Sequence, residues 1–306
     1  MIEIRRIVCS VDFSDFSRRV LDHAIAVARW YGSRLSVIHV HHVPLPAMAL
    51  ASLPASATTE GLVLSPRERE ELRQQLEALM PAEAGKTLPV EFLVAEGDVA
   101  GEILAQADAA DMVVIGTHGR SGYEHLLLGS VAEKVVRKAN CPVLTIPRAA
   151  HDATSAVPTL FHHILAAVDF STASMHALTY AVSLAEEADA HLTVLQVIDV
   201  PRELAAWAEE SDDGKAQVER WKAQARTRLG TIIPESAREC CHVQERVETG
   251  RPYREILRVA AERHAGLIVL GASGHGAIER MFYGSTAQHV VRQAVCPVLT
   301  LREPVH

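Results

Sequence analysis

The sequence predicts an α/β protein with two tandem, doubly wound parallel sheets, and three observations lead to that prediction. First, the chain repeats itself, because Ile7–Ser14 aligns with Ile164–Ser171 at an offset of 157 residues. Second, short apolar runs alternate in each half with amphipathic stretches of helical length. Third, 306 residues are enough for two domains that each bury a core. Strands that alternate with helices pair in parallel through right-handed crossovers.

The internal repeat continues along both halves. Leu35–Val40 matches Leu192–Val197 at the same offset, and Cys141–Thr145 recurs letter for letter at 296–300, at an offset of 155. The offset changes in the middle of each half, where loops tolerate insertions. This duplication predicts a first domain at 1–147, a linker at 148–160 and a second domain at 161–306.

In the first half, β-branched and apolar runs predict strands at Ile7–Val11, Leu35–Val40, Val90–Val94, Met112–Ile115 and Pro142–Ile146. The first helix has an apolar stripe that includes Val20 and Val27, ends at Gly32, and can be capped by Ser14 or Ser17. The next helix opens on the capping box that starts at Ser65 and runs to about Met80, and a further helix contains Ile103–Ala107. We interpret the aperiodic, Pro- and Ala-rich segment from Pro44 to Leu64 as a mobile excursion.

The second half repeats this order of elements. Its predicted strands are Ile164–Val168, Leu192–Val197, His242–Val247, Leu267–Leu270 and Pro297–Leu301. Its predicted helices include Ala177–Ala185, Lys215–Leu229 and Tyr253–Ala261. Each half therefore predicts five strands with helices between them.

One glycine motif occurs in both halves at the same internal spacing. In the first half it is Gly116-Thr117-His118-Gly119 followed by Gly129-Ser130, and in the second it is Gly271-Ala272-Ser273-Gly274 followed by Gly284-Ser285. A buried strand precedes each copy and a helix starts at each serine. Glycines let backbone N–H groups approach an anion, and a helix N-terminus adds the positive end of its dipole. The motif is therefore suited to hold phosphate.

An aspartate ends the first strand of each half, Asp12 in one and Asp169 in the other. In open parallel sheets, ligands bind beyond the carboxyl ends of the strands, where the strand order reverses. A carboxylate at that edge can accept hydrogen bonds from a ribose hydroxyl or an adenine amine. Taken alone, Asp12 is better explained as a helix cap or turn residue, but its pairing with the duplicated glycine motif favours nucleotide binding.

Together, Val-Asp-Phe-Ser after the first strand, the spaced glycines and Cys-Pro-Val-Leu at the last strand resemble the universal stress protein family over nearly the whole chain, twice. The resemblance implies an adenine nucleotide α-hydrolase-like fold, with five parallel strands in the order 3-2-1-4-5. It also implies binding of ATP, with or without Mg²⁺. The implied first-half contacts are Asp12, Val40, Gly116, Thr117, His118, Gly119, Arg120, Gly129, Ser130 and Val131. Those of the second half are Asp169, Val197, Gly271, Ala272, Ser273, Gly274, His275, Gly284, Ser285 and Thr286.

The second copy departs from this pattern at two positions. His275 stands where the first half has Arg120, and Ala277 stands where it has Gly122. A neutral imidazole offers phosphate less charge than a guanidinium does, so we expect two unequal sites. Arg280 is a candidate to compensate for the missing guanidinium.

Catalysis is not indicated by the sequence. No Gly-Lys-Ser/Thr phosphate loop appears, nor does a Ser-His-Asp or paired-carboxylate arrangement. We expect a nucleotide-dependent regulator of stress survival or growth, with at most slow ATP hydrolysis. The alternative is a scaffold, or a carrier of a small molecule or metal, in which one or both pockets do not bind ATP.

Composition and charge argue against some classes of partner and predict a cellular location. A formal net charge of −8 argues against a nucleic-acid-binding surface. No apolar run is long enough to span a membrane, no secretion signal is apparent, and five cysteines without disulfide-like spacing predict a cytoplasmic location. We read the cysteines as structural. The chain has 16 histidines, but those at His39, His41 and His42 lack a set of neighbouring ligands, so no metal site is predicted.

The last strand of each half is an apolar edge strand in the order that the resemblance implies. Single-domain family members dimerise through this edge, which implies that the two last strands pair within one chain as an internal pseudo-dimer. A further homodimer through another face is compatible with the sequence.

Overall fold

The computed structural model describes residues 2–42, 63–117, 128–148, 160–200, 207, 210–272 and 284–303. The chain separates into two compact units, one formed by Glu3–Arg148 and the other mainly by Ala149–His306. Most of the predicted excursion at Pro44–Leu64 and of the predicted linker at 148–160 lies outside the described residues. No helix in the described ranges is long and apolar enough to cross a membrane.

The first unit is an open parallel sheet with helices between its strands. In chain order its elements are β1 (Arg6–Ser10), α1 (Ser17–Tyr31), β2 (Arg34–His42), α2 (Pro66–Leu79), α3 (Ala82–Thr87), β3 (Val90–Gly97), α4 (Val99–Ala107), β4 (Met112–Gly116), α5 (Ser130–Lys138) and β5 (Val143–Ile146). The strand order is β3-β2-β1-β4-β5, and the pairs are parallel. The predicted fold and strand order are confirmed for this unit.

The second unit repeats this topology. Its elements are β6 (His163–Val168), α6 (Thr172–Ala188), β7 (His191–Ile198), α7 (Asp212–Ile232), α8 (Glu235–Cys240), β8 (Val243–Thr249), α9 (Pro252–Glu262), β9 (Leu267–Gly271), α10 (Ser285–Gln293) and β10 (Val298–Leu301). Its strands follow the order β8-β7-β6-β9-β10, also in parallel. The sheet order therefore reverses beside β6, as it does beside β1 in the first unit.

The central strands form the core of each unit. Met112–Ile115 of β4 and Leu267–Leu270 of β9 are buried, as expected for strands with helices on both faces. The apolar stripe of α1, including Val20 and Val27, is buried against the sheet. Gly32 ends α1 in the left-handed conformation, with φ of 64°, which glycine adopts at little cost.

The capping box at the start of α2 is confirmed. The backbone N–H of Glu68 donates to Ser65 Oγ at 3.3 Å, and the backbone N–H of Ser65 donates to Glu68 Oε2 at 2.8 Å. We expect Ser65→Ala to lower the free energy of unfolding by about 1 kcal/mol, because alanine removes the hydroxyl that accepts from the Glu68 N–H and keeps only the backbone N–H at this position. Urea unfolding measures the change, and Ser65→Asn, which retains a capping oxygen, is the matched control. A loss of equal size in both variants would contradict the capping explanation.

Some local predictions were wrong or incomplete. Neither Ser14 nor Ser17 caps α1, because the N-cap residue is Phe16 and it makes no side-chain capping bond. The two serine hydroxyls bond to Asp12 instead. The six-residue helices α3 and α8 were not predicted, since neither is long enough to show a helical period.

Candidate functional site

Asp12 lies just beyond β1, and its two carboxylate oxygens differ in their hydrogen bonding. Its Oδ1 accepts hydrogen bonds from the Ser14 N–H at 3.1 Å, the Ser14 hydroxyl at 2.6 Å and the Ser17 hydroxyl at 2.9 Å. Its Oδ2 is buried and has no hydrogen-bond partner among the described residues. One oxygen therefore holds the side chain in place, while the other remains available to a hydrogen-bond donor.

Asp169 occupies the matching position beyond β6 and builds the same turn. Its Oδ1 accepts from the Ser171 N–H at 3.0 Å and from the Ser171 hydroxyl at 2.5 Å. The Asp169 N–H donates to Ser174 Oγ at 3.2 Å, as the Asp12 N–H does to Ser17 Oγ. The duplicated sequence thus gives a duplicated carboxylate at the carboxyl end of each first strand.

Phenylalanine follows each aspartate in a left-handed backbone conformation. Phe13 has φ of 59° and Phe170 has φ of 64°. This conformation costs a residue with a side chain roughly 1–2 kcal/mol. Ring contacts offset part of that cost, since the Phe13 ring lies 4.4 Å from the His39 ring and the Arg228 guanidinium lies 3.7 Å from the Phe170 ring. The two turns are alike in backbone but differ in what covers the ring.

Gly116 and Gly271 end β4 and β9 where a helix passes close by. A Cβ on Gly116 would lie 2.9 Å from Cε1 of Phe16, and a Cβ on Gly271 would lie 2.7 Å from the backbone nitrogen of Ser174. From the sequence, we predict that these glycines let backbone N–H groups approach an anion. The structure adds a different reason, because a side chain at Gly271 would meet the backbone of α6, and one at Gly116 would displace the Phe16 side chain.

The helices α5 and α10 both start at the carboxyl edge of their sheet without a side-chain cap. Their N-cap residues are Gly129 and Gly284, and neither cap makes a side-chain hydrogen bond. The Gly129 N–H donates to the carbonyl of Thr117 at 2.7 Å, and the Gly284 N–H donates to that of Ala272 at 2.6 Å. An uncapped helix N-terminus presents backbone N–H donors and a positive dipole end, which suits a phosphate.

A cavity of about 260 Å³ lies at this edge of the second unit. It is somewhat smaller than typical ligand pockets, which are roughly 300–1,000 Å³. Leu195, Pro252 and Ile256 form apolar parts of its wall. The predicted site residues that line it are Asp169, Val197, Gly271, Gly284, Ser285 and Thr286. The structure therefore brings together six positions that the sequence assigned to one site.

In the first unit the predicted residues lie on adjoining elements. Asp12 follows β1, Val40 is a buried residue of β2, and Gly116 ends β4, where β1 pairs with both β2 and β4. Thr117 is buried beside Gly116, and Ser130 and Val131 begin α5. In the second unit, Ala272 is likewise buried after β9. The remaining predicted positions lie outside the described residues: His118, Gly119, Arg120, Ser273, Gly274 and His275, together with Gly122, Ala277 and Arg280.

The first turn of α9 is a part of the site that sequence reasoning missed. Pro252 and Ile256 line the cavity, and Arg251, Tyr253 and Arg254 lie in the same turn. The signal was present, because Glu102-Ile103-Leu104 of the first half recurs as Glu255-Ile256-Leu257. Extending the repeat alignment through this turn would have brought these residues into view.

Histidines and cysteines form no metal centre in the described part of the chain, where no group of three or more His, Cys, Asp or Glu side chains is placed to hold an ion. His39 is buried, with Nδ1 at 3.0 Å from the Val11 carbonyl. Burial first, and then nearby His191, lowers the pKa of His163 to about 4. Burial also raises the pKa of Cys141 to about 11 and that of Cys296 to about 12, which keeps both thiols protonated and unreactive.

Comparison with known proteins gives one consistent result. A model described as the Universal stress protein family matches residues 3–147 and again 160–302. A universal stress protein of Mycolicibacterium smegmatis is 28% identical over 90% of this chain and 92% of its own length. One from Methanocaldococcus jannaschii is 36% identical over 47% of this chain and 82% of its own. The crystal structure of a universal stress protein from Archaeoglobus fulgidus is similar in fold, with a TM-score of 0.62 at 22% identity, covering 98% of this chain and 97% of that one.

Proposed function

This chain belongs to the universal stress protein family, and from that premise we propose that each half binds an adenine nucleotide, with ATP as the ligand, at the carboxyl edge of its sheet. The nucleoside would lie against Asp12 or Asp169, and the phosphates would lie at the start of α5 or α10. Bound nucleotide would then govern the contacts through which the protein regulates stress survival or growth.

The buried Oδ2 of Asp12 is the observation that carries this proposal. An unpaired buried acceptor costs roughly 1–3 kcal/mol, so Oδ2 of Asp12 is suited to accept a hydrogen bond from a ligand. An adenine amine or a ribose hydroxyl supplies such a donor. The cavity beside Asp169 in the second unit adds apolar walls that suit a nucleobase.

The phosphate end of the ligand has donors of its own. The uncapped starts of α5 and α10 offer backbone N–H groups and a positive dipole end to the phosphate oxygens. Mg²⁺ usually keeps most of its waters and binds through substrate phosphates with one or two carboxylates. We therefore propose that any Mg²⁺ enters with the nucleotide and is held mainly through its phosphates.

Binding without rapid turnover is the function that the residues favour. The Gly-Lys-Thr sequence at Gly85–Thr87 is the one occurrence of this tripeptide, and Met80 stands where a phosphate loop needs its first glycine. These three residues end the short helix α3, whereas a phosphate loop precedes a helix. We propose at most slow hydrolysis.

The test is direct measurement of bound nucleotide on the full chain. Small molecules released by denaturing the purified protein are identified by mass spectrometry, and ATP is titrated by calorimetry after the bound ligand is removed. We expect ATP or ADP in the extract and one binding event per half. An extract without nucleotide, together with no heat on titration, would refute the proposal. A turnover number typical of ATPases, measured at saturating ATP and Mg²⁺, would refute the claim of slow hydrolysis.

One observation supports the alternative of a small-molecule carrier. A second cavity, of about 490 Å³, lies between the carboxyl end of β7 and α7. Gln196, Trp221 and Arg228 contribute to its lining, and Gln196 Oε1 is buried without a partner among the described residues. The same extraction separates the two functions, since a carrier would release a compound other than a nucleotide.

Pairing of the two last strands and a further homodimer remain predictions, which sedimentation and cross-linking can test.

A further inference from the structure

The two proposed sites carry opposite charge at the same place, the first turn of the helix after the third strand of each unit. In the first unit Asp98 caps α4, since its Oδ2 accepts from the Gly101 N–H at 3.0 Å. Its Oδ1 lies 3.8 Å from Nζ of Lys134 on α5. The aligned positions of the second unit are Arg251 for Asp98, Arg254 for Gly101, Gln288 for Glu133 and His289 for Lys134. At these four positions the first half has two carboxylates and one ammonium, and the second half has two guanidiniums.

The second-unit residues form a connected cluster next to the start of α10. The Tyr253 ring stacks on the His289 ring with centroids 4.5 Å apart, and His289 Nδ1 lies 2.7 Å from the Ser285 carbonyl. The Arg254 Nε donates to the Tyr253 hydroxyl oxygen at 3.1 Å. Hydrogen bonding from Arg254, and to a smaller extent from Arg251, lowers the pKa of Tyr253.

Neither arginine pairs with a carboxylate in the described ranges, although Arg258 on the same helix forms ion pairs with Glu255 and Glu262. Arg251 is the N-cap residue of α9, and Arg254 lies in its first turn. Cations at a helix N-terminus are disfavoured by its dipole, and here the starts of α9 and α10 are both close. The first turn of α9 contains one acidic residue, Glu255, which is paired with Arg258. Without an anion the two arginines are therefore electrostatically unfavourable, whereas the acidic residues Asp98 and Glu133 stabilise their helix starts in the first unit.

The cluster adjoins the cavity that the proposed nucleotide would occupy. Pro252, which lies between Arg251 and Tyr253, lines that cavity, as do Ser285 and Thr286 at the start of α10. An anion at the α10 N-terminus would therefore lie within reach of both flexible arginine side chains. Arginine is well suited to this task, because its fork of N–H donors matches phosphate geometry.

We propose that Arg251 and Arg254 bind the phosphate chain of a nucleotide di- or triphosphate in the second half, an inference that rests on the proposed nucleotide binding. They supply there the positive charge that the exchange of Arg120 for His275 removes from the loop. The second site consequently discriminates between nucleotides by the length of the phosphate chain. The first site has Asp98 and Glu133 in the matching places, so the start of α4 offers no such guanidinium contact there.

The test uses the full chain carrying Arg251→Gln and Arg254→Gln together, titrated with ATP and separately with adenosine. We expect ATP affinity at one of the two sites to fall about tenfold or more for each arginine lost, while adenosine affinity is unchanged. Arg220→Gln with Arg226→Gln is the matched control, because it removes the same charge from the exposed face of α7. It should leave both affinities unchanged, and thermal unfolding of the variants checks that each one is folded.

The outcomes separate this inference from the proposed function. Wild-type protein that binds neither ATP nor adenosine would refute nucleotide binding itself. Two wild-type ATP sites that are both unaffected in the double variant would refute the inference alone, as would an equal loss in the control. Asp98→Asn provides the reciprocal test, since asparagine keeps the cap of α4 and removes the negative charge. We expect it to strengthen ATP binding at the first site, and weaker binding would contradict the charge argument.

Discussion

Gly271→Ala is expected to destabilise the second unit by about 3 kcal/mol or more, which is the upper range for overpacking a filled site. The new Cβ would lie 2.7 Å from the backbone nitrogen of Ser174 and 2.9 Å from the carbonyl carbon of Ala173. Backbone atoms of α6 cannot rotate away, so the whole helix must shift. Calorimetric unfolding should show a transition that occurs at lower temperature than in the wild type.

The same substitution in the first unit should have a smaller effect, although its sequence context is nearly the same. The Cβ of Gly116→Ala would meet the side chains of Phe16 and Val20, with its nearest contact at 2.9 Å, and side chains can give way. We expect a loss of about 1 kcal/mol. Gly230→Ala is the control, because its nearest neighbours are Glu245 side-chain oxygens at 3.9 Å and alanine favours the helix α7. Equal losses at 116 and 271 would contradict the packing argument.

These glycines therefore make poor probes of nucleotide binding. A bulky residue at either position would remove binding through damage to the fold, whether or not the glycine contacts a ligand. The start of α10 is a better place to test phosphate binding, because Ser285 is exposed and Gly284 adopts an ordinary φ of −57°.

Asp12→Asn is expected to lower the affinity of the first site for ATP and for adenosine about tenfold or more, with little loss of stability. The asparagine oxygen can still accept from Ser14 and Ser17, which preserves the turn. Its amide nitrogen then replaces Oδ2 and presents a donor where the proposed nucleoside also presents one. Titration calorimetry with both ligands measures the loss.

Asp12→Ala distinguishes the two tasks of this carboxylate. It removes Oδ1 as well as Oδ2, so we expect a further loss of stability from the unpaired serine hydroxyls as well as the loss of affinity. Ser14→Ala keeps Oδ2 and should affect stability more than binding. Unchanged affinity in the Asp12→Asn protein would show that Oδ2 does not contact the ligand.

Most of the fold could be predicted from the sequence, because the signals that specify it are local and repeated. An apolar run such as Met112–Ile115 indicates a buried strand, because it would be unfavourable at the surface. The capping box at Ser65 is recognised from four consecutive residues. Because the two halves align with each other, an element predicted in one half supports the same element in the other. The short helices α3 and α8 escaped because six residues are too few for an amphipathic period.

The site was less predictable, since its chemistry depends on which groups meet in space. Ser14 and Ser17 matched a helix-cap signal, but α1 starts later in the repeat than its counterpart α6, with Phe16 as its N-cap residue, and both hydroxyls donate to Asp12. The role of Gly271 depends on how closely α6 approaches β9, which no local pattern records. Arg251 and Arg254 lie outside the glycine motif, and their importance emerges only beside the cavity.

The left-handed phenylalanines have a consequence for engineering thermal stability. Glycine at Phe13 or Phe170 would relieve roughly 1 kcal/mol of backbone strain. The same change would remove the ring contacts with His39 and Arg228 and would give the unfolded chain more freedom, and both effects oppose the gain. These two positions are therefore poor targets for stabilising the protein by relief of backbone strain.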